Sequence, residues 1–282
     1  MQEVGSRTVD KGVPASRRAE LLDAANMLGD ARRTKKAILE LPQEMRPTSE
    51  MEAFLIQDEL AVAYGDVGGW KVGAPNAEAT PMFAPMPKFW MAASGAVIRG
   101  LRYRGLEAEV AFYLGEDLPE RKTPYTREEV AWAIASCHPA IEVLESGFED
   151  PSKVDRLSMI GDLQMHGGFV YGPACPEWNS IDFSREGVML AVDGVVRVEK
   201  TGGNTAGDLM RLLPWLASEG ASRTGGLKAG QWITTGSWTG NTLAEKHSTV
   251  DVQFTRLGRV EVRFEPEQDL EKGLPGKTRT FS

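Results

Sequence analysis

Sulfur chemistry has little to work with in this chain, whose 282 residues include only Cys137 and Cys175. Two cysteines without a C-x-x-C pair supply neither a disulfide framework nor a redox or zinc motif. Positive charge is also short, with 32 Lys and Arg against 40 Asp and Glu and a net charge of -8. That balance excludes the basic field a nucleic-acid backbone requires, so a small anionic ligand must be held by a local device. No run approaches the roughly 20 apolar residues of a membrane span, and no membrane partner is expected. No Asn-x-Ser/Thr acceptor occurs, and Met1 to Lys11 has no signal-peptide core; the expected location is the cytoplasm. Walker P-loop, Gly-x-Gly-x-x-Gly and His-Glu-x-x-His patterns are missing, which leaves nucleotide, nicotinamide and zinc chemistry without local support. Gly236-Ser237-Trp238-Thr239-Gly240 is no nucleophile elbow, because its serine occupies the wrong place.

A hydrophobic content of 41% with 26% charged residues fits a soluble globular chain with one large domain or two small ones. Residues 1–15 read as a loose leading segment, 16–95 as a helical N-terminal region, 96–265 as the catalytic sheet domain, and 266–282 as a polar tail. Leu21, Leu22, Ala25, Leu28, Ile38 and Leu41 recur at helical spacing, predicting two helices or one kinked near Gly29. Thr48 or Ser49 caps a further helix that stops by Gly65. After Gly68 the texture becomes short β-rich runs, with a hairpin turn at Asp193-Gly194 and a second turn at Leu257-Gly258. Helices are expected over Thr126 to Ala135 and Asn204 to Glu219. That order predicts an α+β fold with a rolled, mixed, mainly antiparallel sheet.

On a strand running from Glu107 to Leu114, Glu107 and Glu109 share one face while Ala108, Val110, Phe112 and Leu114 share the other. An isolated E-x-E is more often a solvated strand face. Like charges that close repel, however, and a cation between them makes the arrangement favourable. Glu142 interrupts the apolar run Ala140-Ile141-Glu142-Val143-Leu144, so its carboxylate must be neutral, paired or metal-bound. A salt bridge to Arg or Lys is the alternative to ligation there, and Glu145 reads as a surface residue. Lys71, in Gly69-Trp70-Lys71-Val72-Gly73, sits where flanking glycines allow close backbone approach. Near three acids it could neutralise a substrate carboxylate or exchange protons, and burial would lower its pKa toward the range useful for that exchange.

Gly69-Trp70-Lys71-Val72-Gly73, Glu107-x-Glu109, Ala140-Ile141-Glu142-Val143, Gly168-Phe169-Val170-Tyr171-Gly172 and Gly226-Leu227-Lys228-Ala229-Gly230 through Thr235-Gly236-Ser237 follow one another in that order. The chain thereby resembles the 2-hydroxypenta-2,4-dienoate (2-oxo-4-pentenoate) hydratases of the fumarylacetoacetate hydrolase superfamily, over roughly Phe54 to Phe264. The resemblance implies Glu107, Glu109 and Glu142 as ligands of Mg²⁺ or Mn²⁺, with Lys71 as the active-site lysine. It also implies Gln57 as a glutamine preceding that lysine; Gln57, Gly236 and Ser237 are the candidate substrate-binding residues. The sequence departs from the family at Gly161-Asp162-Leu163-Gln164-Met165-His166-Gly167, where only Asp162 matches and His166 is either a substituted acid/base or a solvent-facing loop residue. It departs again at Gly207-Asp208-Leu209. Both changes bear on the pocket rather than the metal.

An all-carboxylate site suits a hard cation, and a 2-oxo acid could chelate it. The expected reaction is addition of water to a 2-hydroxydienoate or 2-oxoalkenoate, giving a 4-hydroxy-2-oxo acid in aromatic-compound catabolism. Lys71, Asp162 and His166 are the candidate proton-transfer residues. Decarboxylation of a 2-oxo diacid, C–C hydrolysis of an acylpyruvate, or a non-catalytic homologue that stabilises a partner enzyme are the alternatives. Family resemblance further implies a homo-oligomer, a dimer or higher.

Overall fold

The computed structural model describes residues 13–265. Its helices are α1 (Ala15–Thr34), α2 (Glu50–Val62), α3 (Arg127–Ala133), α4 (Arg156–Gly161), α5 (Leu212–Ser218) and α6 (Ala221–Thr224). Its strands are β1 (Val67–Gly73), β2 (Met82–Pro87), β3 (Met91–Ala93), β4 (Ala96–Arg99), β5 (Gly105–Leu114), β6 (Ile134–Leu144) and β7 (His166–Tyr171) in the first part of the chain. The second part adds β8 (Gly187–Val192), β9 (Val195–Thr201), β10 (Trp232–Thr234), β11 (Thr242–Leu243), β12 (Thr249–Phe254) and β13 (Gly258–Glu265). Among the described residues no helix is long and apolar enough to cross a membrane.

The strands form two mixed, mainly antiparallel sheets. An eight-stranded sheet has the order β2-β1-β10-β5-β6-β7-β3 with β11 on β5, and a five-stranded sheet runs β4-β13-β12-β8-β9. The apolar face of β5, made of Ala108, Val110, Phe112 and Leu114, joins Val188, Leu190, Val250, Val252, Val260 and Val262 of the second sheet in one buried core. Strand alternation thus spends one face of β5 on packing and leaves the face bearing Glu107 and Glu109 for chemistry. A separate helical core gathers Leu21, Leu28, Leu41, Ile56, Leu60, Phe148 and Leu163 from α1, α2 and the segments around them.

Several local expectations hold. Ser49 accepts a hydrogen bond from the Glu52 N–H at the start of α2, and Thr126 with Glu129 forms a reciprocal capping box on α3. Asp193 and Gly194 turn β8 into β9 with φ of 53° and 77°, the paired left-handed geometry of a tight hairpin.

Other expectations need correction. The first helix is not broken near Gly29: α1 runs through it, and a Cβ there would lie 3.3 Å from Leu60 Cδ1 of α2. No second helix forms around Ala37 to Leu41. Ile38 instead makes a lone bridge to Phe148, and Pro42 disfavours helical backbone at the residue before it. The helix expected from Asn204 begins only after a 3-10 turn at Leu209–Arg211. Asn204 and Asp208 spend their side chains on the N–H groups of Ala206 and Met210, and Gly207 is left-handed at φ 71°, so the chain turns where a helix was expected. Residues 1–12 and 266–282, read as a loose start and a polar tail, lie outside the described residues.

Gly69 shows why the glycines around Lys71 matter. β1 runs parallel to β10 with Gly69 opposite Trp232, and a Cβ on Gly69 would fall 2.2 Å from the Trp232 carbonyl oxygen. Backbone on both sides leaves no cheap relaxation. Gly69→Ala is expected to destabilise the fold by about 2 kcal/mol or more, measured by urea unfolding. Gly73→Ala, whose nearest neighbour would be Gly236 Cα at 3.6 Å, is expected to be close to neutral; equal effects would refute the close approach of β1 to β10.

Candidate metal centre

Sheet register brings the acids together. β5 pairs antiparallel with β6 so that Glu107 stands directly opposite Glu142, and residues directly opposite on one face have neighbouring side chains. Glu109 follows two residues on along the same face. Carboxylate oxygens of Glu107, Glu109 and Glu142 all lie within 4.8 Å of one another. From the other side β1 sets Lys71 opposite Thr234 of β10, and Lys71 Nζ reaches Glu142 Oε1 at 2.6 Å.

The hydrogen bonds divide these acids into different roles. Glu109 Oε2 accepts from the Thr234 hydroxyl and from the Gly236 N–H at 3.1 Å. Glu142 Oε1 accepts from both Lys71 and His166 Nδ1, the latter at 2.9 Å. Glu142 Oε2, fully buried, has no partner among the described residues. A buried carboxylate oxygen left unpaired is costly, and its position in a cluster of three acids is where a hard divalent cation fits.

Electrostatics agree with that fit. Burial and the neighbouring Glu142 push Glu107 up to about 7. Burial, Glu142 and Glu107 hold Glu109 well above the usual carboxylate range. Burial would raise Glu142 as well, but Lys71 and His166 outweigh it and bring Glu142 down to about 2. The protein alone thus keeps one carboxylate ionised and makes the other two expensive to ionise, a strain that a dication relieves. Lys71 does not behave as its burial suggests. Burial opposes the ammonium, yet Glu142, Glu107 and Glu109 outweigh burial and raise its pKa, so it stays a cation.

Lys71, Glu107, Glu109, Glu142 and Gly236 line one cavity of about 140 Å³, joined there by Gln164 and Met82. Ser237 stands beside them through its hydrogen bond with Glu107. His166 is fully buried behind Glu142, which corrects the solvent-facing alternative. Burial lowers its pKa, so the neutral ring donates from Nδ1 to Glu142 and positions that carboxylate. Asp162 and Gln57 are not brought to the cavity. Asp162 accepts from Arg32 Nε at 2.6 Å, Ser146 Oγ at 2.6 Å and the Gly147 N–H at 2.9 Å. Gln57 donates to the Ile160 carbonyl at 2.7 Å and accepts from Arg223. Glu145 is no surface residue either: it is 6% exposed and accepts from the N–H groups of Arg102, Tyr103 and Ser146.

Two residues that hold the acids and Lys71 in place escaped the sequence reading. Thr234 shares the Lys71 side of the sheet, and alternation along Trp232-Ile233-Thr234 was the available signal. Gln164 had none. Its carbonyl accepts from Lys71 Nζ at 3.1 Å, and its side-chain amide donates to the Phe83 carbonyl at 2.9 Å. It reaches both from a left-handed turn in which Leu163, Gln164 and Met165 have φ of 53°, 48° and 64°. None of the three is glycine, and such backbone costs roughly 1–2 kcal/mol per residue. Burial of Leu163 in the helical core and the Arg32–Asp162 pair offset that cost.

Glu109→Gln removes the charge of a candidate ligand while keeping the shape that accepts from Thr234 and Gly236. The metal-free variant is expected to be at least as heat-stable as the parent, because one buried like charge disappears. Its affinity for Mg²⁺ and Mn²⁺ is expected to fall by about tenfold or more, measured by calorimetric titration; parental affinity would remove Glu109 from the site.

The same fold has known counterparts. The model of the fumarylacetoacetate (FAA) hydrolase C-terminal family matches residues 66–265, which span β1 to β13 and every acid of the cluster. A curated relative, 4-oxalocrotonate decarboxylase of Pseudomonas putida, is 24% identical over 202 residues, covering 69% of this chain and 74% of that protein. The solved 4-oxalocrotonate decarboxylase from Pseudomonas putida G7, complexed with magnesium and adipate, superposes with a TM-score of 0.76 at 23% identity, covering 88% of this chain and 98% of that one. Fumarylpyruvate hydrolase from Pseudomonas aeruginosa, in complex with Mn²⁺ and pyruvate, superposes with a TM-score of 0.51 at 15% identity, covering 70% and 89%. Across residues 66–265, the whole of both sheets, this chain belongs to the fumarylacetoacetate hydrolase family.

Proposed function

We propose that the chain is a Mg²⁺- or Mn²⁺-dependent enzyme of 2-oxo acids that adds water to a 2-hydroxydienoate. The observation that carries this reading is the buried, unpartnered Oε2 of Glu142, on a carboxylate that shares a 4.8 Å cluster of oxygens with Glu107 and Glu109. These three side chains would hold the ion, as the magnesium and manganese complexes of its structural relatives suggest. When bound, such an ion acts as a Lewis acid at an oxygen where negative charge develops.

The chain's own residues supply the rest. Lys71, kept protonated, faces the acid cluster and gives an anionic head group a fixed counter-charge. Gln164, on its left-handed turn, and Glu142 fix the direction of the ammonium through two hydrogen bonds, so a proton delivered from Nζ has a defined trajectory. In the reaction the enol proton leaves the C2 oxygen and a proton arrives at C5. Water oxygen then bonds to C4, and its released proton ends at C3. Atoms balance as one water added.

A second reading, decarboxylation of a 2-oxo-enedioate, is favoured by the likeness to the decarboxylase over nearly its whole length. There the bond from the distal carboxylate breaks and its electron pair passes through the conjugated system to the same C2 oxygen. Parallel incubation of the Mg²⁺-loaded protein with a 2-hydroxydienoate, a 2-oxo-enedioate and an acylpyruvate, read by mass spectrometry, separates these outcomes. Hydration predicts a gain of one water on the first compound; CO₂ loss from the second as the dominant reaction would replace it with the decarboxylase reading. Turnover of none would leave only a non-catalytic homologue.

Lys71→Met keeps most of the stem volume and deletes the cation. Turnover is expected to fall by about 10²-fold or more, while affinity for the metal stays the same or rises, because a positive charge beside its ligands is gone. Full turnover in this variant would take Lys71 out of the mechanism.

A further inference from the structure

The metal cavity is too small for a whole substrate. Pockets for small ligands commonly run to about 300–1,000 Å³, whereas this one holds about 140 Å³, enough for little beyond an ion and a 2-oxo acid head. A second cavity of about 490 Å³ is lined by Met51, Phe54, Pro81, Phe83 and Trp215, and Met82 lines both cavities. The two are further linked by Gln164, whose carbonyl holds Lys71 and whose amide donates to the backbone of Phe83.

The charge of the larger cavity is already settled. Among the described residues Arg223 is the one cation lining it. It is met by Asp58 through Nη2 at 2.5 Å and Nε at 3.2 Å and lies over the rings of Phe54 and Phe83 at 4.2 and 4.9 Å, while Arg156, beside Met82, is already paired with Glu50. The other charged lining residues are the acids Glu50 and Glu219. A second carboxylate entering here would lose its hydration without gaining a free counter-charge. Arg223 Nη1, buried with no partner, still offers a donor to a neutral oxygen.

Resting on the 2-oxo acid reading above, we propose that this cavity receives the end of the substrate distant from the metal, and that this end is apolar and uncharged, with an aromatic ring as the best fit. The substrate class is then a monoacid with a hydrophobic tail, in contrast to the dicarboxylates named for several relatives. Phe83 and Trp215 meet edge to face at 6.0 Å between ring centres, and a further ring extends that packing.

Calorimetry on the full Mg²⁺-loaded chain tests this with three unreactive probes: 2-oxobutanoate, 2-oxoadipate and 2-oxo-5-phenylpentanoate. The phenyl compound is expected to bind about tenfold or more tighter than either of the others. Met51, a half-exposed lining residue, gives the matching variant: Met51→Trp fills the cavity and is expected to abolish that preference while leaving 2-oxobutanoate affinity unchanged. Tighter binding of 2-oxoadipate, or a phenyl preference that survives Met51→Trp, overturns the proposal and leaves the 2-oxo acid reading in place. Failure of all three probes to bind overturns both.

Discussion

Three carboxylates held on one face of a sheet, largely out of water and within 4.8 Å of one another, are the constraint around which the structure is arranged. Their mutual repulsion in a poorly hydrated site is unfavourable for the protein alone. Each neighbouring group answers part of it. Lys71 and His166 converge on one oxygen of Glu142, Thr234 and the Gly236 N–H converge on one oxygen of Glu109, and Ser237 serves Glu107. What they leave unanswered is the buried Oε2 of Glu142, in a cluster with oxygens of Glu107 and Glu109, and this unpaired polarity is what a cation would answer. The sheet supplies the rigidity that keeps the oxygens from separating.

The second layer is a clamp made of ordinary parts. Arg32 leaves α1 with its side chain 3% exposed and meets fully buried Asp162. It also donates to the carbonyls of Glu145, Asp162 and His166 at 3.0, 2.8 and 2.7 Å. A desolvated pair with this many satisfied donors acts as a geometric fastener more than as a source of net stability. It fixes the two ends of the left-handed turn that presents Gln164, and it fixes the strand that carries His166. Asp162 therefore influences Lys71 at one remove, through backbone.

Much of the acid cluster was legible because alternation on a strand is a strong local rule. Glu107 and Glu109 had to share a face, Glu142 had to be compensated, and Gly69 had to admit another backbone. The clamp was not legible, since nothing local ties Arg32 to Asp162 across 130 positions. Glu145 misled for a related reason: an acid at the end of an apolar run reads as the return to water, yet here it caps the N–H groups of Arg102 and Tyr103. Lys71 misled through sign. Burial alone lowers a lysine's pKa, and only the count of acids around it, a matter of register between strands, reverses the outcome. The helix expected over Ala37 to Leu41 shows the limit of periodicity, because apolar residues three apart are buried just as well by an irregular segment lying on a helical core.

The reach of Arg32 also bears on the order in which the molecule can be made. During synthesis α1 emerges well before its partner, and until Asp162 follows, the guanidinium has only water to bind. Contacts so distant along the chain form late, because the intervening loop must close before they reward it. β5 and β6 can meet earlier as near neighbours in sequence, so the repelling acids assemble before the turn that steadies Lys71 is fastened. β1 meets β10 from farther still, Gly69 lying opposite Trp232, so the pocket is finished only after both distant contacts have closed, and a nascent chain stalled before them would hold its repelling acids with no competent site.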